Sequence, residues 1–137
     1  MKTCQLNDPE KESLKEKLAS KIKTYPEILF CYIHGSFLEG AWFRDVDLAV
    51  YLKDDSFKDV FSYEHKVSLE LEGLISLPVD LKILNVTPLS FRYQVSKGEV
   101  LFSRDEELRT DFLERTWQLY LDLKPIREEY YRELLEE

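Results

Sequence analysis

Only two cysteines, Cys4 and Cys31, occur in 137 residues. That is too few for a disulfide scaffold or a four-ligand zinc site. Cys31 lies in an apolar run and reads as a small core residue rather than a reactive thiol. No apolar run approaches the roughly 20 residues that span a bilayer, so no membrane partner is expected. The opening MKTCQLNDPEKE is polar and lacks the apolar stretch of a secretory signal, which makes the cytoplasm the expected compartment. Basic residues are outnumbered, 19 Lys and Arg against 27 Asp and Glu, for a formal net charge of −8. Wrapping a nucleic-acid backbone requires cations that displace its counterions, so no nucleic-acid partner is expected. A small anion such as a nucleoside triphosphate can still bind if metal ions neutralise it. Internal repeats, low-complexity tracts and linkers are also missing, which leaves one domain over residues 1–137.

What is present can build a core, with 44% hydrophobic and 13% aromatic residues. Residues 1–7 read as a loose lead-in. Asp8-Pro9-Glu10 predicts a helix start with Asp8 as N-cap, followed by Leu14, Leu18 and Ile22 on one face and an end before Tyr25-Pro26. Ile28–Ile33 reads as a buried strand, and a short helix through Phe37–Trp42 follows. Val46–Leu52 is a second buried strand, Lys53–Ser56 a turn, and Phe57 to Leu74 an amphipathic helix with Gly73 near its end. A third strand is predicted over Val79–Val86. A helix from Thr87-Pro88 stops at Gly98, Val100–Phe102 is extended, and a helix from Asp105 to Leu121 is broken at Lys124-Pro125 before a last one through Ile126–Leu135. Strands alternating with helices imply an α+β domain, a small mixed sheet layered with helices, with its core at 28–86 and C-terminal helices at 104–137.

The chemistry concentrates in His34–Leu52, HGSFLEGAWFRDVDLAVYL. Asp45 and Asp47 flank Val46 at the head of a strand, so they point to one side with Cβ atoms roughly 6–7 Å apart. Carboxylates that close repel each other unless a cation sits between them, and a divalent metal with hard oxygen ligands is the simplest one. Asp47 and Asp80 each interrupt an otherwise apolar strand, where a lone carboxylate costs several kcal/mol unless paired or metal-bound.

Gly35-Ser36 after one strand, Asp45-Val46-Asp47 at the head of the next and Asp80 on a later one together resemble the nucleotidyltransferase fold of the DNA polymerase β superfamily. More narrowly, they resemble its minimal nucleotidyltransferases, which are often paired as antitoxins with HEPN proteins. The resemblance implies that Gly35 and Ser36 hold a triphosphate, that Asp45 and Asp47 bind two divalent ions (Mg²⁺), and that Asp80 is the third, acceptor-side carboxylate. It implies ATP as substrate, transfer of AMP to a tyrosine hydroxyl of a HEPN toxin, and a hetero-oligomer with that toxin. Two alternatives stay open: a small-molecule nucleotidyltransferase of the antibiotic-modifying type, and an antitoxin that acts by binding alone. The loop FLEGAWFR is shorter than usual. Many relatives have Arg-Gly where Glu39-Gly40 stands and Ser where Arg44 stands, so Arg44 is expected to supply the missing phosphate-side charge.

Other residues carry plainer expectations. His34 is read as a hydrogen-bonded strand-end residue and His65 as a surface one. Lys82 is read as pairing with Asp80, with a substrate contact as the alternative; Trp42-Phe43 as loop aromatics pinned into the core, with stacking on a base as the alternative; and Tyr130-Tyr131 as a packing stripe, with docking of a partner as the alternative.

Overall fold

The computed structural model describes residues 4–40, 42–54 and 56–136. In chain order it contains strand β1 (Cys4–Gln5), helix α1 (Asp8–Ile22), β2 (Ile28–His34), α2 (Ser36–Glu39), β3 (Trp42–Phe43) and β4 (Val46–Leu52). Helix α3 (Val60–Ile75), β5 (Val79–Ile83), α4 (Leu89–Ser96), β6 (Glu99–Ser103) and α5 (Glu106–Glu136) follow, with a 3-10 turn at Leu84–Val86. Four strands form a mixed sheet in the order β5-β4-β2-β6, with β5 parallel to β4 and the other neighbours antiparallel. The parallel pair is the one joined by a long helix, as a crossover requires.

Alternation along the strands sorts their side chains onto two faces. Cys31, Ile33, Val46, Leu48, Val50, Leu81 and Ile83 pack against Leu14, Leu18 and Ile22 of α1 and Val67 and Leu71 of α3. On the other face Phe30, Tyr32 and Ala49 pack with Val95 of α4 and Phe112 of α5. The rings of Phe30, Tyr51 and Phe112 lie within 5.8 Å of one another. Cys31 is fully buried, and burial pushes its thiol pKa upward. Among the described residues no helix is long and apolar enough to cross a membrane.

Several boundaries differ from the expectation. Asn7, not Asp8, is the N-cap of α1: its side chain accepts from the Glu10 N–H at 2.9 Å, and Glu10 accepts from the Asn7 N–H at 3.0 Å. This reciprocal box leaves Asp8 in the first turn, where its charge favours the helix dipole. The lead-in is not loose, because Cys4 and Gln5 pair antiparallel with Phe43 and Trp42. The short helix ends at Glu39 rather than Trp42, and Ala41 lies outside the described residues. The turn after β4 is present, with the Ser56 N–H donating to Lys53, although Asp55 lies outside the described residues. Helix α3 starts at Val60, capped by Asp59, and ends on Ser76 in the left-handed region rather than on Gly73. Phe61, expected on its buried face, is 82% exposed.

β5 stops at Ile83, short of Val86. The Asn85 side chain takes over the next rung, accepting from the Leu52 N–H at 2.9 Å and donating to the Leu52 carbonyl at 2.8 Å. The C-terminal break is absent: α5 is one helix of 31 residues with Pro125 inside it. A proline removes one helical hydrogen bond and crowds the preceding turn. Here that turn is exposed, so water can solvate the freed carbonyl.

Arg104 ties the C-terminal part to the start of the sheet. Its guanidinium donates to the carbonyls of Ile28 (3.1 Å), Lys23 (3.0 Å) and Tyr25 (3.2 Å). Replacing Arg104 by Ala should lower unfolding free energy by about 1–2 kcal/mol in urea denaturation. Arg104→Lys should recover little, because an ammonium cannot span three carbonyls as a planar fork does. An unchanged midpoint in Arg104→Ala would show that these bonds contribute nothing.

Candidate active site

The register of the sheet builds the site. Asp47 on β4 lies opposite Asp80 on the parallel strand β5 and opposite His34 on the antiparallel strand β2. Asp80, Asp47 and His34 therefore form a cross-strand row, with neighbouring strands about 4.8 Å apart. Asp45 sits two residues before Asp47, just ahead of β4. Asp47 and His34 lie on the sheet face away from α1 and α3, and Asp80 borders a groove at the sheet edge with Phe61, Glu64 and His65 of α3.

β2 turns into α2 at Gly35, which has φ +80 and is the N-cap of that short helix. A side chain there would be strained by the backbone, and its Cβ would collide with the Asp47 carboxylate. Gly35 thus lets the turn lie directly against Asp47. Ser36, Arg44, Asp45 and Asp47 line one open cleft of 360 Å³ with Trp42 and Phe43. The structure so gathers five of the six residues singled out in sequence: Gly35 against Asp47, and Ser36, Arg44, Asp45 and Asp47 around the cleft. Asp80 lies one strand over at the sheet edge and does not line that cleft. Its Oδ1 is 3.6 Å from Lys82 Nζ, the pairing expected for that lysine.

Electrostatics single out Asp47. Burial, followed by the charges of Asp80 and Asp45, pushes its carboxyl up to about 6. Three hard oxygen donors that hold one of their number partly protonated are the donor set a divalent cation would relieve. As placed, they do not gather around one point: among the described residues no group of three His, Cys, Asp or Glu side chains is arranged to hold an ion.

Two neighbours differ from the expectation. His34 is not hydrogen-bonded through Nε2, which is buried without a partner among the described residues. Its ring instead meets Phe91 of α4 edge-on at 5.6 Å, and burial lowers its pKa against the opposing charge of Asp80. Trp42 is 59% exposed at the cleft, while only Phe43 is pinned into the core, against Phe37. The pairing of β3 with β1 explains the split, since neighbouring strand residues face opposite ways. His65 is exposed, as expected.

Lys11 of α1 was not anticipated. Its ammonium donates to the carbonyls of Phe37 and Gly40, the latter at 2.8 Å, and lies over the Phe37 and Phe43 rings. It fastens the loop between Ser36 and Asp45. Nothing local in the sequence marks it, because its partners are 26 and 29 residues away.

Asp47 has a stability consequence with a definite sign. Its pKa in the folded chain, about 6, lies above the ordinary 3.8. Its contribution is therefore fully favourable below pH 3.8 and is lost as pH rises through 6. In EDTA, Asp47→Asn should melt close to the parent at pH 4. At pH 7.5 it should melt higher by about 3–6 °C, or about 1 kcal/mol once solvent screening of a half-exposed group is allowed for. A variant no more stable than the parent at pH 7.5 would contradict the repulsion.

Three comparisons place the molecule among known proteins. No curated protein sequence matches it. Solved structures do. A chain from the complex of tri-AMPylated Shewanella oneidensis HEPN toxin with MNT antitoxin superposes with a TM-score of 0.71 at 20% identity, over 91% of this chain and 98% of that one. A chain from the MntA–HepT toxin–antitoxin complex gives 0.71 at 18% identity, over 90% and 98%. One from a toxin–antitoxin structure with AMP-PNP gives 0.68 at 21% identity, over 95% and 99%. At such identities the likeness establishes the fold. The sequence profile of the polymerase β nucleotidyltransferase domain matches residues 16–107, more than half of the chain and all of the strands that carry the carboxylates. By that match the chain belongs to the polymerase β nucleotidyltransferase family.

Proposed function

We propose that the protein is a metal-dependent adenylyltransferase that moves AMP from ATP to a hydroxyl on a HEPN-type toxin, and so acts as its antitoxin in the cytoplasm. The observation that carries this reading is the carboxylate row set against the Gly35-Ser36 turn. Support comes from the related structures, which include a tri-AMPylated HEPN toxin with its MNT antitoxin and a toxin–antitoxin structure with AMP-PNP.

In this reading Asp45, Asp47 and Asp80 would hold Mg²⁺, which when bound would supply charge neutralisation for the triphosphate and lower the pKa of the attacking hydroxyl. The chain's own groups do the rest. Ser36 and the N–H groups of the turn bind phosphate oxygens, and Gly35 lets the backbone come close enough. Arg44 places a guanidinium at the same cleft, the charge that Glu39 does not provide. The acceptor oxygen bonds to the α-phosphorus, the bond to the α,β-bridging oxygen breaks, and pyrophosphate leaves with its electron pair. In this reading Asp80, half-exposed at the sheet edge, takes the hydroxyl proton of the acceptor.

A protein acceptor needs a docking surface. The second half of α5 offers one: Leu119, Leu123, Ile126, Tyr130 and Leu134 recur at helical spacing and are 40–64% exposed. Tyr130 and Tyr131 are thus no packing stripe within this chain. A helix of this kind favours a protein acceptor over a small molecule, and it suits a hetero-oligomer.

Incubation with a cognate HEPN-type protein, Mg²⁺ and ATP labelled at the α-phosphate tests the reading. Label should appear on the HEPN protein. The double change Asp45→Asn, Asp47→Asn should slow its appearance by about a thousandfold, as expected for several kcal/mol of lost metal stabilisation. Leu123→Glu with Ile126→Glu should abolish labelling while the far-ultraviolet spectrum stays that of the parent. Label only in low-molecular-weight product would replace the reading with a small-molecule enzyme. Full toxin neutralisation by the Asp45, Asp47 variant would replace it with binding alone.

A further inference from the structure

A second basic feature lies on the carboxylate face of the sheet, away from the carboxylates. Between α4 and α5 there is a cleft of 190 Å³ lined by Tyr51, Asn85, Leu89, Arg92, Arg115 and Leu119, among others. Tyr51 is four residues along β4 from Asp47, about 13 Å at strand rise. Arg92 is half-buried. Its Nη2 donates to the Asn85 carbonyl at 3.2 Å, whereas its Nε is buried with no acceptor among the described residues. The Asn85 side chain is turned to the Leu52 backbone, with its oxygen accepting from the N–H and its nitrogen donating to the carbonyl. The ion pairs among the described residues join Lys15, Lys82, Arg109 and Lys124 to acids, and none involves Arg92 or Arg115.

In a chain with 27 acidic residues against 19 basic ones, two arginines lining one cleft without a carboxylate are an unusual arrangement. A half-buried guanidinium with an unpaired donor costs folding free energy unless an acceptor completes it, and an anion is the strongest such acceptor. We infer that this cleft is a second anion site that takes the phosphate end of a small phosphate monoester. The charge argues for phosphate. Two guanidinium groups match a monoester of nearly −2, while a carboxylate would neutralise only one of them. Planar forks also suit tetrahedral oxygens, which they bind in pairs. The walls argue for an ester over the free ion, since Leu89, Leu119 and Phe112 offer an apolar surface to an organic group. The cleft shares Leu119 with the docking stripe of α5, but neither arginine has a part in the proposed transfer reaction.

The test is a titration of the full chain in EDTA at constant ionic strength, following the guanidinium Nε–H signals by nitrogen-15 NMR. The Arg92 signal is assigned by its loss in Arg92→Gln. The two probes are inorganic phosphate and phenyl phosphate. The Arg92 signal should move saturably with both, and phenyl phosphate should bind more tightly. Arg115 is exposed at the rim, so Arg115→Gln should fold normally and weaken both by about tenfold, the loss of one charge-assisted contact. Equal affinity for the two probes would overturn the monoester assignment. No saturable movement of the Arg92 signal, or movement unaffected by Arg115→Gln, would overturn the site itself.

Discussion

The burial of the Asp47 carboxyl, with Asp80 and Asp45 close by, is the constraint around which the rest is arranged. A sheet gives no freedom to relieve it. Asp47 and Asp80 are register partners on neighbouring parallel strands, and β4 is fixed on its other side by β2. The opposite face of both strands is locked into the core through Leu48, Val50, Leu81 and Ile83. Moving either residue to the other face would require a register slip, which would turn every one of those side chains to the wrong face. The fold therefore holds the acids together and accepts a carboxyl raised to about 6. Such local conflict, kept by a well-packed frame, is what a binding site for a cation looks like before the cation is counted.

The same frame explains the loop. Gly35 must be glycine because the Asp47 carboxylate occupies the space a Cβ would need. Gly98 plays a similar part behind it, where a side chain would meet the Ile33 carbonyl and the His34 Cβ. Lys11 then fixes the far end of α2 from below, through the carbonyls of Phe37 and Gly40. A nucleotide-sized anion would meet a turn already held in position, which reduces the ordering cost of binding.

Much of this was legible in the sequence because it depends on period and type. The alternation in Val46–Leu52 put Asp47 on the face away from Val46 and Leu48. The same alternation in Val79–Ile83 put Asp80 and Lys82 on the face away from the core. The Gly-Ser turn and the acids on later strands were enough to identify the fold. What was not legible depends on partners distant in sequence. The pairing of Cys4–Gln5 with Trp42–Phe43 has no local signature, and it alone exposes Trp42. Asn85 ends a strand by imitating backbone, which apolar periodicity cannot reveal. Pro125 marks a break in a helix packed on both sides, but α5 meets only water there. His34 lost its expected hydrogen bond because α4 laid Phe91 against it.

Burial, with Asp80 and Asp45 nearby, raises the Asp47 carboxyl pKa, and a divalent cation would reverse that shift. The ionisation of Asp47 itself, followed by carbon-13 NMR of its carboxyl across a pH titration with and without Mg²⁺, measures this most directly. A midpoint near 6 is expected in EDTA. With saturating Mg²⁺ it should fall below the ordinary aspartate value, as for any carboxylate beside a bound cation. An ordinary midpoint in EDTA, or one that Mg²⁺ does not move, would contradict it.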